Sequence, residues 1–353
     1  MKTSLFLIIF LVFFLLILPQ EAKTPLILEP KEIFISRHLN DKKEKNDVQS
    51  DCKKLMKVLI TGISGMIGSH VAHLLVKNPC FKVFGLIRPR SNLDTLRGVV
   101  GKINFLVGDL GDSHRMIDII ANVIPDFVYH FGAQAINGIS YANADTTLDI
   151  NVRGTLNLLE GIRRAGLGGF GHPCPTRVML AGSSTEYGRT VDLVDGPLSE
   201  DLPLRPVTPY GVSKVAMELL GNQYNTSYGI PVITARFFIQ LGVGGTDNLA
   251  IHQFCKQIAM AEAGLAPAVI KHGNIDTSRD MTDVRDSAIA IVKLAEEGVF
   301  GEAYNIGTGF TTSIKELLIL AMSHAKIPMS LESDSDRLRL YDEKILRANI
   351  SKL

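Results

Sequence analysis

The stretch Lys57-Val58-Leu59-Ile60-Thr61-Gly62-Ile63-Ser64-Gly65-Met66-Ile67-Gly68 decides the fold. A short apolar run leads straight into the spacing GxxGxxG, and apolar residues at helical spacing follow from Ile67 to Val76. Strand, glycine turn and helix in that order form the dinucleotide-binding unit of a parallel α/β fold. Gly62 permits the tight turn. Gly65 lets a pyrophosphate approach the backbone, and Gly68 lets helix and strand pack closely. Amides from Gly65 to Gly68, through Met66 and Ile67, open the helix, where free N–H groups and the dipole favour an anion.

Downstream the alternation continues. Strands are predicted over 57–60, 82–86, 103–107, 127–130, 177–180 and 232–235, and helices over 67–76, 116–123, 155–164 and 212–224. Strand–helix alternation at this pace predicts an α/β, Rossmann-type doubly wound parallel sheet covered on both faces. After Gly242 the pattern loosens into shorter elements. The predicted division is a leader over 1–22, a polar linker over 23–55, a cofactor domain over 56–240 and a mainly substrate-binding domain over 241–353. The Gly/Pro-rich stretch 168–175 has no functional reading.

Composition agrees. Of 353 residues, 46% are hydrophobic and 21% charged, a globular balance with enough chain for a large core. The net charge of +1 comes without a basic block, so no footprint for nucleic acid is present. Cys52, Cys80, Cys174 and Cys255 lie far apart and read as isolated reduced thiols. His70 and His73 share a helix face without a third ligand, so no metal site is predicted. At the amino end, Lys2 precedes the apolar run Leu5–Leu18, which is shorter than the about 20 residues of a membrane span. It reads as a secretory or organellar leader, with membrane contact through residues 1–20 only if it stays uncleaved. A misassigned start would leave the enzyme cytoplasmic. The terminal Ser351-Lys352-Leu353 matches a peroxisomal address but conflicts with that leader.

The second strand ends Gly85-Leu86-Ile87-Arg88-Pro89-Arg90-Ser91. The acid that holds a ribose 2′-hydroxyl in NAD enzymes is absent. Arg88 and Arg90 suit a 2′-phosphate, so NADP is the predicted cofactor and NAD the alternative. Tyr210-Gly211-Val212-Ser213-Lys214 places a phenol and an ammonium on one helix face. The ammonium is expected to lower the phenol pKa and make Tyr210 a proton donor or acceptor near neutral pH. Ser183, leaving the fifth strand, is placed to hydrogen-bond a reacting oxygen.

Together these motifs resemble the extended short-chain dehydrogenase/reductase family from about Lys57 to Leu353. The stretches 182–188, 204–214, 278–286 and 304–309 are most similar to its GDP-mannose 4,6-dehydratase and GDP-4-keto-6-deoxymannose reductase group. The resemblance implies that Ser183 and Tyr210 flank the sugar C4 oxygen while Lys214 holds the nicotinamide ribose. It implies that Asp109 and Leu110 contact adenine and that Phe131, Gly132 and Ala133 pass the cofactor. It puts Gln134, Asn151, Ser184 and Thr185 on the substrate side and gives Arg279 and Arg339 to the nucleotide diphosphate. A homodimer through helices beside the active site is also implied. The chain departs from the pattern at three places. Ile239 replaces the Asn of an R-x-F-N stretch. Thr185 replaces the acid that dehydratases use for elimination, with Glu186 one residue late. The group also continues past the equivalent of Leu353 with a Gly-Trp segment, so a truncated C-terminus is expected. Reduction at C4 of a GDP-4-keto-6-deoxy sugar is therefore the favoured expectation. Dehydration of GDP-mannose, 4-epimerisation and a non-catalytic NADP-binding protein are the alternatives.

Overall fold

A computed structural model describes residues 54–247, 249–338 and 341–353. The predicted leader, nearly all of the linker, and Arg339 lie outside the described residues. Among the described residues no helix is long and apolar enough to cross a membrane.

The glycine unit is built from β1 (Met56–Thr61) and α1 (Met66–Leu75). Then come β2 (Phe81–Ile87), β3 (Ile103–Val107), α2 (Ser113–Val123) and β4 (Phe127–His130). Two short helices, α3 (Asn137–Ala142) and α4 (Ala144–Leu148), lead through a π-helical turn, Asp149–Arg153, into α5 (Gly154–Arg164). β5 (Arg177–Ser183), α6 (Pro209–Tyr228) and β6 (Val232–Phe237) follow. The seven-stranded sheet has the order β11 (Ala303–Ile306), β6, β5, β4, β1, β2, β3 and is parallel throughout.

Both faces of this sheet are covered, so its strands read as nearly continuous apolar runs. Val58 and Ile60 pack with Val83, Tyr129, Met179 and Ile233 beneath α1. Leu59 turns the other way, with Val128, Leu180 and Val232, onto Met116, Ile120, Leu158 and Ile162 of α2 and α5. Leu59 and Ile60 are fully buried, each worth about 1.5–3 kcal/mol of transfer free energy.

After β7 (Ile239–Leu241) and α7 (Ala250–Glu262) the chain builds β8 (Val269–His272), β9 (Ser278–Arg279) and β10 (Met281–Asp283). It then returns to the large sheet through α8 (Val284–Glu297) and β11 (Ala303–Ile306), which pairs with β6. The region beyond residue 240 thus divides its elements between the cofactor sheet and small sheets beyond it. β12 (Thr312–Ser313), α9 (Ile314–Ser323), β13 (Ser330–Ser333) and β14 (Ile345–Leu346) finish those small sheets. They cover a separate apolar cluster around Phe254, Ile258, Ile270 and Leu318.

One cysteine reading is corrected. Cys80 is disulfide-bonded, whereas Cys174 and Cys255 are free. Parallel pairing sets residue 80 beside the start of β1, where the Met56 amide donates to the Cys80 carbonyl at 2.8 Å. Distance along the chain conceals that neighbourhood.

Candidate active site

The glycine turn has the geometry its spacing predicts. Gly62 lies at φ +66°, and a Cβ there would stand 2.7 Å from the backbone of Phe131 and Gly132. Only glycine tolerates both conditions. A Cβ on Gly68 would reach 2.4 Å from the Gly62 carbonyl oxygen, which explains the close packing of α1 on the turn. Gly65 differs. A Cβ there would meet only the Gly62 oxygen, at 3.2 Å, and otherwise open space. No side chain caps α1 and no acid stands in its first turn. Exposed backbone, uncapped amides and an open flank fit a dinucleotide pyrophosphate.

The remaining cofactor residues fall along the same edge. Arg88 and Arg90 are exposed where β2 ends, and neither guanidinium has an ion-pair partner among the described residues. The Arg88 amide donates to the Ser91 hydroxyl, 3.0 Å away, which folds the loop. Asp109 accepts from the Gly111 amide at 2.9 Å, and the Asn157 side chain donates to the Leu110 carbonyl at 2.8 Å. Phe131, Gly132 and Ala133 are half-buried as they leave β4.

β5, its following turn and α6 assemble the reacting groups. β5 delivers Ser183, which caps the tight turn 184–186 while the Glu186 carboxylate accepts from its amide. Thr208 caps α6 with Pro209 in the first turn, so Tyr210 and Lys214 sit on the helix's first two turns. The Tyr210 phenol faces the Ser183 hydroxyl. The Thr185 hydroxyl donates to Ser183 Oγ at 2.9 Å. Ser184 is buried beside them. The Lys214 ammonium donates to the Ala181 carbonyl at 2.7 Å and stands 5.6 Å above the Tyr210 ring.

The expected direction of the Tyr210 shift is corrected. Burial pushes the phenol up to about 12, and the neighbouring Ser183 hydroxyl offsets this only in part. Lys214 moves the other way, lowered to about 8 by burial. Desolvation outweighs the attraction that helical spacing suggested. The phenol keeps its proton at neutral pH and is set up as a donor.

Three residues given to the substrate by resemblance have their polar groups engaged within the protein. Asn151 is fully buried. Its oxygen accepts from the Gln134 amide at 2.8 Å, and its nitrogen donates to the Gln134 carbonyl and to Ser213 Oγ. Ser213 in turn donates to the Tyr210 carbonyl at 2.7 Å. Asn151 is thus a strut between the β4 loop and the catalytic helix. The Gln134 side chain is taken up by Ile136 and Thr147. Arg279 is buried and bonds Asp342 at 2.6 Å and the Glu343 carbonyl at 2.7 Å. Arg339 lies outside the described residues.

Sequence reasoning missed His130. Fully buried at the end of β4, it joins Thr61 Oγ1 at 2.8 Å to Thr155 Oγ1 at 3.0 Å. Thr155 donates to the Asn151 carbonyl at 2.6 Å. Burial lowers the imidazole to about 3, so it is neutral. A continuous hydrogen-bonded line therefore runs from the glycine turn to the Asn151 strut. The one available signal was a polar residue closing the apolar strand Phe127-Val128-Tyr129.

Comparison with known proteins agrees with this geometry. The family model described as GDP-mannose 4,6 dehydratase matches residues 59–350. A GDP-6-deoxy-D-mannose reductase of Pseudomonas aeruginosa is 29% identical over 304 residues, covering 84% of this chain and 89% of the relative. A GDP-mannose 4,6-dehydratase of Yersinia enterocolitica is 28% identical over 282 residues, covering 77% and 73%. The solved structure of RMD from Pseudomonas aeruginosa complexed with NADPH superposes with a TM-score of 0.69 at 28% identity, over 83% of this chain and 89% of that one.

Proposed function

The chain belongs to the GDP-mannose 4,6-dehydratase family of extended short-chain dehydrogenase/reductases, and from that premise we propose that it reduces a GDP-linked 4-keto-6-deoxy sugar with NADPH. Membership makes it an NAD(P)-dependent enzyme acting on nucleotide sugars. The choice of reduction rests on the serine turn. Where elimination needs a carboxylate, Thr185 instead joins its hydroxyl to Ser183. The adjacent carboxyl group, that of Glu186, is fully buried beside Arg236.

NADPH, when bound, supplies the hydride that reaches C4. The protein's share is the proton. Tyr210 transfers it from its phenol to the C4 oxygen as that oxygen takes up negative charge, and the product is an alcohol. Ser183 Oγ, held by Thr185 beside the Tyr210 phenol, fixes where that oxygen lies. Lys214 keeps a positive charge under the phenol and offsets the phenolate left behind. Arg88 and Arg90 support a 2′-phosphate and hence NADP.

Apolar side chains are exposed on the helices flanking the site: Tyr141, Leu148, Leu156, Val212 and Leu219. Their distribution over α3 to α6 favours a homodimer through that face. The Cys80 disulfide fits an oxidising compartment, in line with the predicted leader.

The deciding experiment incubates the protein and NADPH with GDP-, UDP- and dTDP-linked sugars and their 4-keto forms, read by mass spectrometry. Gain of two hydrogens by a GDP-4-keto sugar supports the reading. Loss of one water from GDP-mannose overturns it in favour of dehydration, and an isomer of unchanged mass in favour of epimerisation. Tight cofactor binding with no product from any sugar favours a non-catalytic protein.

A further inference from the structure

Glu186 is the buried titratable group that the reaction above leaves unused, and its surroundings are specific. Its Oε1 accepts from the Ser183 amide at 2.6 Å. Room for that oxygen depends on Gly182, where a Cβ would stand 2.7 Å from it. Its Oε2 has no hydrogen-bond partner among the described residues. The facing cation is Arg236, but its fork is committed to Glu218, with bonds of 2.9 and 2.6 Å. The rest of the guanidinium donates to the Tyr187 hydroxyl and the Glu200 carbonyl, each at 3.0 Å. Arg236 and Glu186 Oε2 are left 3.7 Å apart.

One guanidinium thus faces two carboxyl groups and bonds only one. A buried carboxylate oxygen without a donor is costly, whereas a protonated one becomes a donor itself. Glu218, held by the same guanidinium nitrogen that faces Glu186 Oε2, is the acceptor placed to take that proton. Burial, reinforced by Glu218, pushes Glu186 well above the usual carboxylate range. The charged and titratable groups facing it are Arg236 on β6, Glu218, Lys214 and Tyr210 on α6, and the neighbouring Tyr187.

We infer that Glu186 is a positioning residue, a neutral acid that anchors the Ser183 amide on one side and donates to Glu218 on the other, thereby aiming the Ser183 hydroxyl at the proton-transfer position. The inference rests on the proposed reduction for its kinetic readout only. Neutrality matters because an ionised Glu186 would set a second negative charge behind the phenol and oppose formation of phenolate.

Two variants and one spectrum test this. Glu186→Gln keeps the acceptor for Ser183 and supplies an N–H donor for Glu218, so it mimics the neutral acid. It is expected to keep kcat at neutral pH within about twofold of wild type. Glu186→Leu removes both bonds and is expected to lose about tenfold or more in kcat with KM for the sugar little changed. NADPH affinity, read by fluorescence, stays at the wild-type value in both. Infrared spectra in D2O at neutral pH should show a protonated-carboxyl band that Glu186→Gln removes. A Gln variant as impaired as the Leu variant, or a spectrum without that band, overturns the inference. Full activity in the Leu variant does so too. The band and the NADPH titration need no sugar substrate, so they decide the point even if the proposed reduction fails. They also decide it if the Leu variant does not fold.

Discussion

Gly65 and Gly68 lie three residues apart in one motif, yet alanine at each should fail in a different way. At position 68 the added Cβ would stand 2.4 Å from the Gly62 oxygen and 3.0 Å from Gly62 C and Ile63 Cα. All three atoms are backbone, so no side chain can swing aside and α1 must lift from β1. Overpacking of this kind costs about 1–3 kcal/mol, which for a domain of this size lowers Tm by roughly 3–10 °C. At position 65 the backbone is ordinary, with φ −78°, and the only close neighbour is one oxygen at 3.2 Å. Stability should fall by no more than about 1 kcal/mol, the gap between Gly and Ala at an N-cap. The methyl group instead occupies the open flank, where a diphosphate would approach. Loss of one charge-assisted bond of about 1.5–3 kcal/mol weakens NADPH binding by about 10- to 100-fold. Thermal denaturation and NADPH fluorescence titration on both variants read the two effects separately. If Gly65→Ala melts as early as Gly68→Ala, or binds NADPH as tightly as wild type, the assignment of that flank to the cofactor is wrong.

Other outcomes follow from the same geometry. Tyr210→Phe should abolish turnover while NADPH binding holds, and retained activity would remove the phenol from the mechanism. Reduction requires Tyr210 protonated and Lys214 charged, so activity is present at neutral pH and lost as pH rises. With Lys214 at about 8 and Tyr210 at about 12, the first decline in kcat/KM should fall near pH 8. A profile flat to pH 10 would contradict this. Replacing Arg88 and Arg90 together with Ala should weaken NADPH about 10-fold or more and leave NADH nearly unaffected; equal losses would reject the 2′-phosphate assignment. Leu219→Glu together with Val212→Glu should give a monomer by analytical ultracentrifugation, and an unchanged sedimentation coefficient would place any dimer contact elsewhere.

Periodicity exposed most of the large sheet. Strands predicted over 103–107 and 127–130 are observed at those residues. Four strands run longer than predicted, β5 and β6 for instructive reasons. β5 continues through Ala181-Gly182-Ser183, which carries no apolar signal yet is buried. β6 continues through Arg236, whose charge looks like a strand end but is neutralised inside by Glu218. β11 escaped notice because its short run is interrupted by Asn305, polar by type but fully buried and bonded to the Leu198 carbonyl. At the site, spacing revealed which side chains share a face but not how deeply they lie. That is why the Tyr–Lys pair was located and the sign of the Tyr210 shift was reversed. It is also why Asn151 and Arg279, polar by type, are found committed inside the protein.

The π-helical turn at Asp149–Arg153 has a consequence for chain-length changes. An α-helix advances about 100° per residue, and the wide turn takes up one residue more than a regular turn, so deleting a residue there would restore regular winding with α4 and α5 still in phase. Deleting one from α5 instead would rotate the turn and α4 by that angle. Thr147, which holds the Gln134 side chain at 3.1 Å, would swing off the β4 loop, and Asn151 would lose its alignment with Ser213. One-residue deletions should therefore be tolerated far better inside the turn, at positions other than Asn151, than in α5.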